Sequence, residues 1–128
     1  MIDASALLAI LLEEPEARNV RGRIASADGP FTSPLAVYET VARLVRLYGM
    51  SPQQADAIVR ALLKEYGAKV VAVDDTITPH ALDALDRYGR GRHPARLNFG
   101  DCFAYACARA HDAPLIYKGD DFAKTDLA

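Results

Sequence analysis

The residues able to do chemistry in this sequence are acids drawn from well-separated stretches: Asp3, Glu39, Asp101 and the adjacent pair Asp120-Asp121. Gathered in one place, such carboxylates repel. Two unit charges about 4 Å apart cost roughly 4 kcal/mol at an effective dielectric near 20, and a set of four multiplies that several-fold. Protons or a cation must compensate. An all-oxygen donor set without cysteine or paired histidine favours a hard ion, Mg²⁺ or Mn²⁺, over zinc. The histidines, His80, His93 and His111, are scattered and form no HxxxH or HExxH pattern. With one or two hard ions the natural reaction is attack of water on a phosphodiester. Ser5, two residues beyond Asp3, is suited to orient a ligating carboxylate or to bond the scissile phosphate.

The elements between these acids must bring them together. Met1-Ile2 reads as a very short strand delivering Asp3, and Ala4, Leu7, Leu8, Leu11 and Leu12 recur at helical spacing after it. A second helix is expected from Pro15, with Val20 and Ile24 on its apolar side, before the turn at Asp28-Gly29-Pro30. Phe31-Thr32-Ser33 is a candidate strand. Ser33-Pro34 and Ser51-Pro52 are N-cap and N1 signatures opening a third helix to Tyr48-Gly49 and a fourth to Tyr66-Gly67. The third helix is assigned a stripe of Leu35, Tyr38, Ala42 and Val45, with Glu39 beside it and partly buried; the fourth faces Ala55, Ile58, Val59, Leu62 and Leu63 inward.

Val70 to Val73 is a continuous apolar run, as in a strand covered on both faces. A fifth helix is expected from about Thr76 to Tyr88, with Asp74-Asp75 as its cap. A sixth starts at Asn98, with Phe103, Ala106, Cys107 and Ala110 on one side, and Phe99, Phe103 and Tyr105 in the core. Leu115-Ile116-Tyr117 is the last strand. This alternation predicts one α/β domain over residues 1–128, a three-layer α/β/α arrangement around a central parallel sheet. Ligands of such sheets bind beyond the carboxyl ends of the strands, where Asp3 and Asp120-Asp121 fall.

Bulk properties bound the reading. Half of the 128 residues are apolar, enough for one core without staples, and the net charge of −2 gives no global electrostatic case for nucleic acid. Cys102 and Cys107, five apart on one helix, read as buried small hydrophobes. The absence of a charged leader or a span of about 20 apolar residues leads to the expectation of a soluble cytoplasmic protein.

Each acid also has a purely structural reading. Asp3 and Asp101 are suited to cap helices, Glu39 to a solvated edge, and Asp120-Asp121 to a turn. The loop from Gly89 to Leu97 holds Arg90, Arg92 and Arg96 and no acid. Two accounts stand side by side: a positive rim for an RNA backbone, or arginines paired with local acids such as Asp86.

An apolar strand ending in Asp-x-Ser, a Glu in the third helix, Asn-Phe-Gly-Asp-Cys-Phe-Ala-Tyr-Ala opening a late helix and Lys-Gly-Asp-Asp-Phe-x-x-Thr-Asp after the last strand together resemble the PIN-domain ribonucleases. The likeness is greatest to the VapC-type toxins of type II toxin–antitoxin modules. The resemblance implies Asp3, Glu39 and Asp101 as metal-site acids, with Asp3 and Asp101 as direct ligands of Mg²⁺ or Mn²⁺. For the fourth acid, Asp121 fits better than Asp120, either can serve, and Asp126 is more distant. It further implies an RNA substrate, a cognate VapB-type antitoxin and a homodimer, for which Tyr38, Leu47, Tyr48 and Met50 are interface material. The rivals are a metal-dependent DNase or phosphatase and a non-catalytic module of the same fold.

Overall fold

The computed structural model describes residues 1–128. Its helices are α1 (Ala4–Leu11), α2 (Ala17–Ala25), α3 (Pro34–Tyr48), α4 (Pro52–Glu65), α5 (Thr78–Tyr88) and α6 (Phe99–Ala110). Strand β1 (Phe31–Thr32) pairs in parallel with β2 (Lys69–Val70), Phe31 opposite Lys69. Ile2 and Ile116 form a further parallel bridge. Ile2 N–H donates to Phe31 O at 2.7 Å, Asp3 N–H to Ile116 O at 2.9 Å, and Ile116 N–H to Met1 O at 2.8 Å. The segments therefore lie side by side in the order Ile116, Ile2, Phe31, Lys69.

Successive strand residues face opposite ways, and two cores follow. Met1, Phe31 and Leu115 pack with Ile77, Leu97, Tyr105 and Phe122 under α5 and α6. Ile2 and Ile116 pack with Leu7, Ile10, Ile24, Val37 and Val59 from α1 to α4. Helices on both faces of a parallel sheet make the expected α/β layers. The terminal segment Met1-Ile2 is held by its neighbours: the Met1 amine donates to Pro114 O at 2.8 Å, and the buried Thr32 hydroxyl to Ile2 O at 2.7 Å.

The strands are shorter than the apolar runs suggest. Beyond β2 only Val71 N–H still bonds the sheet, to Thr32 O at 2.9 Å, because β1 ends where Ser33 caps α3. Val71 and Val73 are half-buried and Ala72 is exposed, as befits an edge. Asp74 caps a 3₁₀ turn (Asp75–Ile77) by accepting from Thr76 N–H, and α5 begins at Thr78, two residues beyond the expected start. Cys102 and Cys107 are buried and unbridged, as expected.

Three helix faces differ from expectation. In α3 the buried residues are Ala36, Val37, Thr40 and Leu44, whereas Tyr38 is 74% exposed. Thr40 takes a core position because its hydroxyl donates to Ala36 O at 2.7 Å, leaving no unpaired polar group. In α4, Ile58 is turned outward, and in α6 so are Ala110 and Phe99, the latter 72% exposed. Phe99 lies against Phe103 one turn on, ring centroids 4.9 Å apart, rather than in the core. Phe103 is half-buried and Tyr105 fully buried.

Candidate active site

Asp3 follows Ile2 directly and caps α1, its Oδ2 accepting from Ser5 N–H at 3.0 Å and from the Ser5 hydroxyl at 2.5 Å. Ser5 Oγ in turn accepts from Lys118 N–H at 3.0 Å. One serine thus ties the first carboxylate to the loop that follows Ile116. Asp101 caps α6 reciprocally with Asn98: Asn98 N–H donates to Asp101 Oδ2 at 3.0 Å, and Asp101 N–H to Asn98 Oδ1 at 2.9 Å. The capping roles read from the sequence are present for both acids, and each cap engages Oδ2.

An open cleft of about 640 Å³ is lined by Asp3, Ser5, Glu39, Asn98, Asp101 and Asp121. It lies past the carboxyl ends of Ile2 and Ile116, the edge where parallel sheets bind ligands. Glu39 reaches it from the middle of α3. The residue as a whole is exposed, but its carboxylate is partly buried, as expected, and rests against Gly100, so close that a Cβ on Gly100 would fall 2.5 Å from Oε1. Asp120 does not line the cleft. Its carbonyl accepts from Ala123 N–H at 3.2 Å in the turn beyond it. Asp126 stands elsewhere, bonded by Tyr105 hydroxyl at 3.0 Å, by Arg87 at 3.2 Å and by Arg109. These bonds hold its carboxyl below the usual range although burial pushes the other way.

The acids in the cleft are shifted upward. Burial raises the Asp3 carboxyl, against the bonds from Ser5, and Asp121 adds to the rise. Burial, then the charges of Asp3 and Asp101, push Glu39 up to about 7. Asp101 is pushed up to about 6, again chiefly by burial, with Asp3 and Asp121 adding and the Asn98 backbone bond and Arg90 opposing. Asp3, Glu39 and Asp101 therefore each feel at least one neighbouring carboxylate. As the side chains stand, no three acidic, histidine or cysteine groups are close enough to grip one ion. The donor chemistry nonetheless fits a hard dication: oxygen atoms only, from four segments, in a cleft where negative charge is disfavoured until a cation offsets it.

The cations of this cleft are Arg43, Arg46 and Lys118, which the sequence reading overlooked. Arg43 and Arg46 lie four and seven residues beyond Glu39, the spacing that repeats one helix face, so that face was legible once Glu39 was chosen. Lys118 is ion-paired with Glu14, also in the cleft. Arg90, Arg92 and Arg96 do not line it. Arg92 pairs with Asp86 at 3.1 Å, the local pairing weighed above. Arg90 borders a neighbouring apolar hollow with Leu82, Leu85 and Phe99, though its charge still reaches Asp101. Arg96 is exposed at a loop position with φ of 53°.

The PIN domain family model matches residues 1–127. A VapC ribonuclease of Rhizobium meliloti (strain 1021) is 41% identical over 98% of this chain and 97% of its own length. A ribonuclease VapC of Mycolicibacterium smegmatis is 38% identical over 100% and 97%. Among solved structures, Mycobacterium tuberculosis VapC20, described as a sarcin-ricin loop cleaving toxin, superposes with a TM-score of 0.75 over 99% of this chain and 95% of that one, at 18% identity. No helix here is long and apolar enough to cross a membrane. With the family model spanning nearly every residue and full-length relatives well above 30% identity, the chain belongs to the PIN-domain family, among its VapC ribonucleases.

Proposed function

We propose that the 128 residues act as one domain, a Mg²⁺- or Mn²⁺-dependent endoribonuclease serving as the toxin of a type II toxin–antitoxin pair in the cytoplasm. The observation that carries this reading is the convergence of Asp3, Glu39, Asp101 and Asp121 on one cleft, with the first three raised in pKa. The names of the full-length relatives support RNA as the substrate. Asp3 and Asp101 would hold the ion, and Glu39 and Asp121 complete the acidic set. When bound, the ion supplies Lewis acidity toward the phosphoryl oxygen and lowers the pKa of the attacking water.

The chain's own groups do the rest. Ser5 fixes the Asp3 carboxylate and ties it to Lys118. Asn98 holds Asp101 at the first turn of α6, where the helix dipole favours its charge. Glu39, with no capping bond of its own and lining the same cleft, suits the uptake of a proton at its carboxylate as water attacks. A VapB-type antitoxin would hold the toxin in check by covering the cleft. A homodimer is supported by the exposed Tyr38, Leu47 and Tyr48 on α3.

The test compares wild type with Asp3→Asn on structured RNA and on DNA of the same sequence, with Mg²⁺, Mn²⁺ or EDTA. Cleavage of RNA only, lost on chelation and in the variant, is expected. Preference for DNA would favour the metal-dependent DNase reading. Equal cleavage by both proteins, or cleavage in EDTA, would overturn the mechanism.

A further inference from the structure

A polyanion entering a cleft of carboxylates needs positive charge beside its path, and the cleft offers three cations of two kinds. Lys118 is already neutralised by Glu14. Arg43 and Arg46 are exposed, line the same cleft as Glu39, and take part in none of the ion pairs of the structure. By contrast Arg21, Arg60, Arg87, Arg92 and Arg109 each hold a carboxylate. Arg43 and Arg46 also stand on a rigid helix. At about 1.5 Å rise per residue they lie roughly 6 and 10 Å along α3 from Glu39, on the face that Glu39 presents to the cleft.

We propose that Arg43 and Arg46 form a phosphate track along α3, which holds the RNA strand on one side of the scissile bond, while the Glu14–Lys118 pair leaves its own part of the cleft weakly charged. The proposal rests on the ribonuclease reading for its substrate and extends it to residues outside the acidic set. Guanidinium groups suit this task because they stay charged and grip phosphate oxygens in pairs. Contacts to phosphates remote from the reacting atoms act equally on bound substrate and transition state, so their loss raises KM and leaves kcat nearly unchanged. Opening the Glu14–Lys118 pair frees a third cation and strengthens binding.

The experiment measures fluorescence anisotropy of a labelled single-stranded RNA of about 12 nucleotides, within the span such grooves cover, in the Asp3→Asn background so that nothing is cut. Arg43→Gln and Arg46→Gln are each expected to weaken binding about 3–10-fold near 0.1 M salt and to flatten the salt dependence by about 0.7 per contact. Arg43→Lys keeps that slope, and Glu14→Gln tightens binding. Arg18→Gln, on α2 away from the cleft, changes neither quantity. In the cleaving protein the same Gln variants raise KM with kcat within about twofold. Thermal melts confirm that these exposed substitutions leave the fold intact.

Wild-type affinity and slope in both Gln variants would overturn the proposal, as would loss of antitoxin binding with RNA binding unchanged. These results are separable from the fate of the ribonuclease reading. If the wild type cuts RNA and Asp3→Asn does not while the arginine variants bind normally, only the track fails. If no RNA is cut but binding still depends on both arginines, the track stands and the chemistry falls.

Discussion

Replacing Asp101 by Asn should stabilise the metal-free protein while abolishing its activity. The Asp101 carboxyl, ordinarily near 3.8, is pushed up to about 6. At about 1.4 kcal/mol per pKa unit, its ionised form costs the folded state up to about 3 kcal/mol above pH 7. The residue is half-buried, so solvent screens part of this. The neutral side chain also gives up an interaction with the α6 dipole of about 0.3–1 kcal/mol. A net gain of about 1–2 kcal/mol remains, since the amide oxygen still accepts from Asn98 N–H. For 128 residues that is about 4–7 °C in Tm. The sign follows from linkage: a carboxyl raised in the folded state binds protons there first, so the penalty is full above about pH 7 and fades as pH falls through 6 toward 4. Scanning calorimetry of both proteins in EDTA at pH 8 and pH 4.5 tests this, the variant's advantage being large at the first and small at the second. Added Mn²⁺ should raise the Tm of wild type well above that of the variant. A variant melting no higher than wild type at pH 8, or by the same margin at both pH values, would refute the reasoning.

Asp121→Asn should cut RNA-cleaving activity about 10–100-fold and Asp120→Asn by less than about threefold, because only the first side chain lines the cleft; initial rates with Mn²⁺ distinguish them. Ser5→Ala removes both the hydroxyl that holds Asp3 and the acceptor for Lys118 N–H. It should lower kcat about 10-fold or more and Tm by a few degrees, with metal affinity measured by Mn²⁺ titration falling in parallel. Gly100→Ala places a Cβ 2.5 Å from Glu39 Oε1. The flexible carboxylate end yields, so Tm should hold or rise, Ala gaining about 1 kcal/mol of helix propensity, while cleavage falls through displacement of Glu39. Unchanged cleavage would mean that this contact does not set Glu39.

The helices were legible because their ends carry local chemistry. Ser33-Pro34 and Ser51-Pro52 cap α3 and α4 through Ala36 N–H and Gln54 N–H, and Gly49 ends α3 at φ of 66°, open to glycine without strain. The strands were less so. Val70 to Val73 has the composition of a buried strand, but pairing depends on a neighbour that ends at Thr32, and no local signal reports that length. The apolar pattern points to a different face of α3 from the one buried, because Thr40 is a polar residue that satisfies itself within the helix. That pattern puts Tyr38 inside and hides Arg43 and Arg46. Phe99 deceived in the same way: the Asn98 cap fixes the phase of α6, and in that phase Cys102, Tyr105 and Ala106 point inward while Phe99 does not.

Capping and chemistry are not rival readings of the acids, because the caps are what make the cluster tolerable. Asp3 and Asp101 each sit at a helix N-terminus, where backbone N–H groups and the dipole favour negative charge. Each also accepts hydrogen bonds that pull its pKa down against burial. Glu39 sits in the middle of α3 and has no such bond; burial and the charges of Asp3 and Asp101 all push it one way, to about 7 against about 6 for Asp101. The fold thus places two carboxylates at helix ends and sets a third, uncapped, beside them. In the metal-free protein near neutral pH, Glu39, at about 7, shares its charge with a proton, and a bound cation would be the agent that releases it.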